Sequence, residues 1–243
     1  MRYLDISFPT PQENILFDDV LLHLADKEEA DDVLRFWESF ETFVVLGRIC
    51  KEERDLNINN LLKAHIPVIR RSSGGGTVLQ GRGCLNFSLV LHKDRYPQVR
   101  DLRKSYEYIL QCVVDVLGDA GIQAQFLPIS DVALTGNNKK ISGNAQKRGR
   151  NCILHHGTLL YGFELGLIEQ YLRLPQDQPL YRRNRSHLDF VANAAIDPDV
   201  FKAKFSSRFG CKRFDSVAKR ELDLLKQFCA EKAVEVDLKA LTV

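Results

Sequence analysis

Three consecutive glycines at residues 74–76 constrain the fold of this chain more than any other feature of its sequence. Glycine loses much conformational freedom in a strand or helix and packs no side chain there, so a glycine run indicates a loop. This run lies between two apolar, strand-like segments, residues 66–69 and 84–91. Two arginines and two serines, residues 70–73, precede it and add donors for carboxylate or phosphate oxygens. We predict a loop whose backbone passes close to an anionic ligand, in preference to a solvated surface turn.

The common phosphate-binding loops do not occur in this sequence. There is no G-x-x-x-x-G-K-[ST] motif. Residues 81–86, GRGCLN, lack the last glycine of G-x-G-x-x-G and lead into a predicted strand rather than a helix. Both common nucleotide-binding folds are therefore disfavoured.

The spacing of apolar residues predicts an order of helices and strands that does not alternate. The first 40 residues are predicted to be helical, with a helix start at Pro11 and an apolar stripe that includes Ile15 and Leu24. Further helices are predicted at residues 102–117, 167–172 and 214–229, strands at 42–46, 66–69, 84–91, 131–135, 140–142 and 153–161, a hairpin loop at 136–138, and a polar, basic loop at 175–193. This order predicts an α+β fold, with a mixed or antiparallel sheet and helices packed on it.

Composition narrows the classes of function. The 243 residues carry 34 Lys and Arg against 32 Asp and Glu, a net charge of +2, which argues against a protein held to nucleic acid or to an anionic membrane by bulk charge. No apolar run approaches the roughly 20 residues of a membrane span, and the first residues lack the order of a signal peptide. We therefore expect a cytoplasmic protein. The six cysteines are scattered, without a C-x-x-C pair, and are expected to be reduced and mostly buried.

Two further clusters carry candidate chemistry. Lys139 and Lys140 begin a predicted strand and should point to opposite faces, so that one can enter a cleft as a fixed cation for a phosphate or an oxyanion while the other stays in water. A solvated lysine pair is an equal alternative on these residues alone. His155 and His156 lie in an apolar strand, where at most one can face a site. Because no carboxylate stands at zinc spacing, we predict no metal site there.

Together, these clusters resemble the lipoate–protein ligase family, in the wider group of biotin and lipoate protein ligases and octanoyltransferases. The family pattern R-R-x-S-G-G-G-[AT]-V is met at residues 70–78, and G-N-x-N-[FY] at 83–87 with Cys84 in place of the first Asn. A lysine followed by [IV]-S-G-[SN]-A stands at 140–145, and H-H-G-[TS]-L-L at 155–160. Residues 43–48 also resemble a strand of the family. The match covers roughly residues 10–195.

The resemblance implies a class II aminoacyl-tRNA synthetase or biotin ligase-like catalytic domain, with a mixed, largely antiparallel curved sheet flanked by helices. It implies that lipoate or octanoate is activated with ATP and Mg²⁺ as an acyl-adenylate and attached to a lysine of a lipoyl carrier domain, such as a 2-oxoacid dehydrogenase subunit or a protein like the glycine cleavage H protein. Lys140 would be the catalytic residue. The implied substrate- and adenylate-binding residues are Arg70, Arg71, Ser73, Gly74, Gly75, Gly76, Thr77, Val78, Asn86, Asp131, Ser142, Gly143, Ala145, His156, Gly157 and Thr158.

Three departures from the family pattern keep alternatives open. Gln80-Gly81 replace a common His-Asp pair, and Cys84 replaces an Asn. We expect a catalytic domain over residues 1–195 and a short helical tail over 196–243, without the accessory domain of about a hundred residues that bacterial single-chain ligases carry. A separate subunit could supply that domain, or the chain could act without it.

The main rival is an ATP-independent octanoyltransferase or amidotransferase that uses a cysteine thioester. Cys152 is the candidate nucleophile, although residues 126–130 lack the cysteine of such relatives. An inactive acyl- or cofactor-binding protein is a further alternative.

Overall fold

The computed structural model describes residues 1–211 and 214–241, which form ten strands and eight α-helices. The strands are β1 (Arg2–Asp5), β2 (Val33–Trp37), β3 (Phe43–Leu46), β4 (Val68–Arg70), β5 (Val78–Gln80), β6 (Cys84–His92), β7 (Ala124–Leu127), β8 (Asp131–Leu134), β9 (Lys140–Arg148) and β10 (Cys152–Leu160). The α-helices are α1 (Pro11–Asp26), α2 (Glu52–Asp55), α3 (Ile58–Ala64), α4 (Leu102–Gly118), α5 (Gly166–Tyr171), α6 (His187–Phe190), α7 (Pro198–Arg208) and α8 (Lys219–Glu231).

The strands form two sheets. The larger has the order β1-β2-β6-β10-β9-β8-β7, with β1 parallel to β2 and the other neighbouring pairs antiparallel. The smaller has the order β4-β3-β5, with β3 parallel to β4 and antiparallel to β5. This arrangement confirms the predicted α+β class, with a mixed, largely antiparallel sheet flanked by helices.

Both faces of the central strands are covered, as the poor alternation of residues 84–91 predicts. Successive side chains of a strand point to opposite faces. Phe87 and Leu89 of β6 therefore pack in a core with α4 and α7, whereas Val90 packs in a second core with α1 and α8. Helix α1 begins at Pro11 as predicted. Thr10 and Glu13 form a capping box there, in which each side chain bonds the other residue's backbone N–H.

The prediction that the first 40 residues are helical is wrong outside α1. Strands β1 and β2 flank this helix, and every residue of β2, Val-Leu-Arg-Phe-Trp, is buried. Because β2 lies between β1 and β6 with both faces covered, its sequence has no alternation, and a short buried strand then cannot be told from a helical turn by periodicity. Strand β9 also continues six residues beyond the predicted end at 142, and α8 begins at Lys219 rather than at 214.

The residues after 195 are part of the packed structure, and the division of the chain at 195 into catalytic domain and tail stays a prediction. Phe201 and Phe205 of α7 are fully buried in the core with α4. After α8 the chain runs along β4, where Val234 O accepts from Arg70 N at 2.7 Å and Val236 N donates to Val68 O at 2.8 Å. The C-terminal segment therefore supports the strand that leads into the glycines. None of the helices within the described residues is long and apolar enough to span a membrane.

Candidate active site

Two cavities meet between the two sheets. The inner cavity, of about 110 Å³, is bounded by Ile15 of α1, Trp37 of β2 and Val45 of β3. The outer cavity, of about 800 Å³, extends towards α5 and α6, where Ile168 and Phe190 form part of its wall. The residues that line both cavities are Gly75, Gly76, Thr77, Val78, Ser130, Lys140, Gly143, Asn144 and Thr158. The glycine loop (residues 70–77) and the start of β9 thus form the junction between the two spaces.

Arg71 organises the glycine loop from within. Its Nη2 donates to Gly74 O at 2.8 Å and to Gly76 O at 2.9 Å, and its Nε donates to Gly74 O at 3.1 Å. The side chain is 9% exposed, and burial lowers its pKa to about 10, so it stays cationic at neutral pH. Nη1 makes no hydrogen bond to any of the described residues, and Arg71 lines the inner cavity. One arginine therefore holds the loop and keeps a donor for a ligand.

Lys140 belongs to a chain of polar contacts at the junction. Its Nζ lies 2.7 Å from Asp131 Oδ1, and Tyr181 Oη donates to Asp131 Oδ2 at 2.6 Å. Burial, and then the neighbouring Asp131, raise the pKa of Tyr181, so its hydroxyl stays protonated. Gly143 leaves room for the lysine, because a Cβ there would meet Lys140 Cε and Nζ at 2.8 Å. Lys139 instead donates to Leu188 O at 3.0 Å, in agreement with the prediction that the two lysines point to opposite faces.

A second polar chain ties the loop to the large sheet. Ser73 Oγ lies 2.7 Å from His156 Nε2, and His156 Nδ1 lies 3.9 Å from Asp18 Oδ2. Asp18 is itself held by Arg35 Nη1 at 2.7 Å and Ser88 Oγ at 2.6 Å. Burial lowers the pKa of His156 well below its usual value, so the ring is neutral. Ser73 is 2% exposed and lines neither cavity, so this Ser–His–Asp arrangement positions the loop and does not present a nucleophile.

The structure brings together most of the residues that the sequence predicts for the site. Those that line at least one cavity are Arg71, Gly75, Gly76, Thr77, Val78, Asn86, Asp131, Lys140, Ser142, Gly143, Ala145, His156, Gly157 and Thr158. Arg70, Ser73 and Gly74 line neither. Arg70 points away from the loop, where it pairs with Glu52 and donates to Gly47 O at 3.0 Å and Cys50 O at 2.9 Å.

The sequence did not predict several residues of the site. Trp37 lines the inner cavity, and its Nε1 is buried without a hydrogen-bond partner among the described residues. Tyr181 and Arg182 come from the segment predicted as a basic loop, which folds back so that Ala192 N donates to Lys140 O at 2.9 Å. Trp37 was missed because the first 40 residues were predicted to be helical. Tyr181 follows no local pattern, because its partner Asp131 lies 50 residues earlier in the chain. Arg182 bonds near neighbours, Arg185 and His187, and it lines the outer cavity because the whole segment folds back along β9.

Neither cavity presents a reactive cysteine among the described residues. Cys152, the rival candidate, is fully buried in the core with α1 and lines neither cavity, and burial raises its pKa to about 11. Among the described residues, Cys84 is the only cysteine that lines a cavity. Its Sγ donates to Gln80 Oε1 at 3.2 Å, the side chain is fully buried, and burial raises its pKa. A thiolate, the reactive form, is disfavoured at both positions.

The model of the lipoyl protein ligase A/B catalytic domain matches residues 10–209. The chain belongs to this family. A probable lipoate-protein ligase A of Mycoplasma pneumoniae is 32% identical over 164 residues, which are 68% of this chain and 46% of that protein. An octanoyltransferase LipM of an Exiguobacterium species is 26% identical in an alignment of 250 positions that covers 89% of this chain and 90% of that protein. The chain spans about half the length of the lipoate-protein ligase relatives that it matches first.

Two solved structures of lipoate ligases share the fold. The bi-partite lipoate protein ligase of Thermoplasma acidophilum has a TM-score of 0.80 at 22% identity, covering 95% of this chain and 92% of that one. A lipoate-protein ligase A bound with ATP also has a TM-score of 0.80 at 22% identity, covering 95% and 94%. Family membership thus rests on the sequence match, and these structures extend the likeness to the fold as a whole.

Proposed function

We propose that this protein attaches lipoate or octanoate to a lysine of a lipoyl carrier domain, through an acyl-adenylate made from ATP. The observation that carries this proposal is the meeting of a narrow inner cavity and a wide outer cavity at Lys140, under the glycine loop. An acyl-adenylate has the matching shape, with an acyl chain joined to a nucleotide through one acyl phosphate. The ATP-bound relative of the same fold supports the nucleotide half of this proposal.

The residues of the chain can supply what the two steps need. In the first step the acyl carboxylate would attack the α-phosphate of ATP and release pyrophosphate. In the second step the neutral amine of the carrier lysine would attack the acyl carbonyl, where the Lys140 ammonium and the loop N–H groups stabilise the developing negative charge. The bond between the acyl carbon and the AMP oxygen then breaks, the amine loses a proton to water, and AMP leaves with its phosphate charge. Arg71 Nη1 offers a further donor beside the inner cavity. A mixed anhydride is destroyed by water, and a site enclosed by the loop would protect it.

Mg²⁺ would be bound mainly by the ATP phosphates, where it lowers their charge. No group of three or more potential metal-ligating side chains occurs in the described parts of the chain. Asp131, the carboxylate nearest the junction, already contacts Lys140 with one oxygen and Tyr181 with the other. This donor set does not fit a metal ion held by the protein alone.

The ATP dependence of acyl transfer tests the proposal. The protein is incubated with an apo lipoyl domain, lipoate or octanoate, and with or without MgATP, and the domain is analysed by mass spectrometry. We expect acylation only with ATP. A second series adds a candidate accessory subunit, since the bi-partite relative and the length of the chain leave that requirement open. Absence of acylation in both series contradicts the ligase proposal.

An ATP-independent octanoyltransferase is the second candidate, because the LipM relative matches over nearly its whole length. Its test is transfer from an octanoyl thioester without ATP.

We expect the Cys152→Ser variant to keep acyl transfer within about twofold of the wild type, because the thiol lies outside both cavities. In this variant a serine hydroxyl is buried in place of the thiol, which should lower the free energy of unfolding by about 1–3 kcal/mol. Thermal denaturation measures this loss. Loss of transfer by a folded Cys152→Ser variant would identify a thioester mechanism.

Tyr181→Phe should lower kcat of acyl transfer about 5- to 10-fold, the equivalent of one lost hydrogen bond, with little change in KM for the acyl substrate. The hydroxyl contacts Asp131 and not the cavities, so its role is to position Lys140 through that carboxylate. Steady-state kinetics and a thermal melt together check this. An equal loss in an assay at saturating and at low acyl substrate supports positioning, whereas an unchanged kcat contradicts it.

A further inference from the structure

Arg182 is a buried arginine without a carboxylate partner. Its exposure is 4%, and it forms no ion pair within residues 1–211 and 214–241. Burying a charge is costly unless that charge is paired. Arg35, which is fully buried, illustrates the usual solution, since its Nη1 lies 2.7 Å from Asp18 Oδ1. Arg182 departs from this rule and therefore calls for an anion from outside the chain.

Its present contacts fix the guanidinium and leave one nitrogen available. Nε donates to Arg185 O at 3.1 Å, and Nη2 lies 3.3 Å from His187 Nδ1. The guanidinium carbon stands 4.4 Å from the centre of the Phe190 ring. Burial, followed by the nearby Arg182 charge, lowers the pKa of His187, so its ring is neutral. Because Nε2 donates to Arg173 O at 3.2 Å, Nδ1 is the acceptor. Nη1 makes no hydrogen bond in the described structure.

The available side of Arg182 belongs to the outer cavity. Arg182 lines this cavity together with Lys140 and Asp131. Gln178, on the same wall, donates through Nε2 to Pro175 O at 2.8 Å, whereas its Oε1 is buried without a partner among the described residues. That oxygen is enclosed by the protein and is not presented to the cavity, so the unpaired cation alone indicates a ligand with an anionic group.

We propose that Arg182 is a phosphate-binding residue of the outer cavity, contacting the ligand's phosphate through Nη1. The planar guanidinium suits phosphate oxygens. Under the proposed ligase function, on which the choice of source rests, the phosphate is that of a nucleotide. The phosphate of an acyl-phosphopantetheine thioester has the same chemistry and is the source if the protein is a transferase.

Isothermal titration of the full chain tests this. The ligands are MgATP, adenosine as its phosphate-free counterpart, octanoyl-pantetheine 4′-phosphate, and octanoyl-pantetheine without the phosphate. The variants are Arg182→Gln and, as matched control, Arg183→Gln, which removes the same charge from the adjacent exposed residue. We expect Arg182→Gln to lower the affinity for the phosphate ligand about 10- to 100-fold, the effect of losing one charged hydrogen bond. The affinity for the phosphate-free counterpart should not change, and the affinities of the control variant should stay within twofold of the wild type.

The outcomes separate the site from the proposed function. Weakened MgATP binding supports both. Weakened binding of the pantetheine phosphate, in a protein that does not bind MgATP, supports the phosphate site and contradicts the ligase. Unchanged phosphate binding, equal losses with and without phosphate, or no binding of either phosphate ligand by the wild type overturns the site. If Arg182→Gln does not fold, Arg182→Lys, which keeps the charge and loses the planar donors, is judged by the same comparison.

Discussion

Replacing Lys140 with alanine is expected to lower the rate of acyl transfer from a preformed acyl-adenylate by about 10²- to 10³-fold, the usual effect of removing one group that stabilises a developing oxyanion. Lys140 is a cation that lines both cavities, and Asp131, together with the space above Gly143, holds it there. Single-turnover transfer to an apo lipoyl domain measures this effect without the adenylation step.

Lys139→Ala is the matched control. Lys139 precedes Lys140 in the chain, carries the same charge, lines neither cavity and donates to Leu188 O. We expect its transfer rate to stay within about twofold of the wild type, since an exposed contact of this kind contributes little. Near-normal transfer by Lys140→Ala, or equal losses in the two variants, would remove Lys140 from the mechanism.

Gly47→Ala is expected to displace the glycine loop and lower acyl transfer about 100-fold, because an ångström of misplacement near the reacting groups has an effect of that size. A Cβ on Gly47 would lie 2.1 Å from Gly75 O, a backbone atom that cannot rotate away. Gly75 has φ of +84°, so the loop has little freedom to adjust its path. We also expect a loss of about 1–3 kcal/mol in the free energy of unfolding, as for overpacking elsewhere.

Gly74→Ala separates this steric effect from the general effect of a methyl group near the loop. A Cβ at Gly74 meets no atom within 4 Å, and the residue lines neither cavity. Its transfer rate should remain within a few-fold of the wild type. The two variants are compared by single-turnover transfer and by thermal denaturation. Full activity in Gly47→Ala, or an equal loss in Gly74→Ala, would show that the contact with Gly75 does not set the position of the loop.

Local chemistry made much of the site predictable from the sequence. At three places the neighbouring residues indicate both the chemistry and the backbone conformation. These are the glycine run, Lys140 and the His155-His156-Gly157-Thr158 strand. Side-chain direction was less accessible. Arg70 and Arg71 are adjacent and equally basic, yet Arg70 pairs with Glu52 outside the site while Arg71 holds the loop from inside it. Their difference depends on β4, whose neighbours fix which side of the chain faces the cavity.

The sequence by itself determined the α+β class, the family, the loop and the lysine at the centre of the site, because these follow from short-range patterns of apolar, glycine and charged residues. Only the tertiary structure decided which groups surround that lysine. Tyr181 and Arg182 reach the site because the segment after α5 folds back along β9, and Trp37 reaches it because β2 is a strand of the large sheet. Such contacts join positions far apart in the chain, and their free energy comes from packing that no local pattern records.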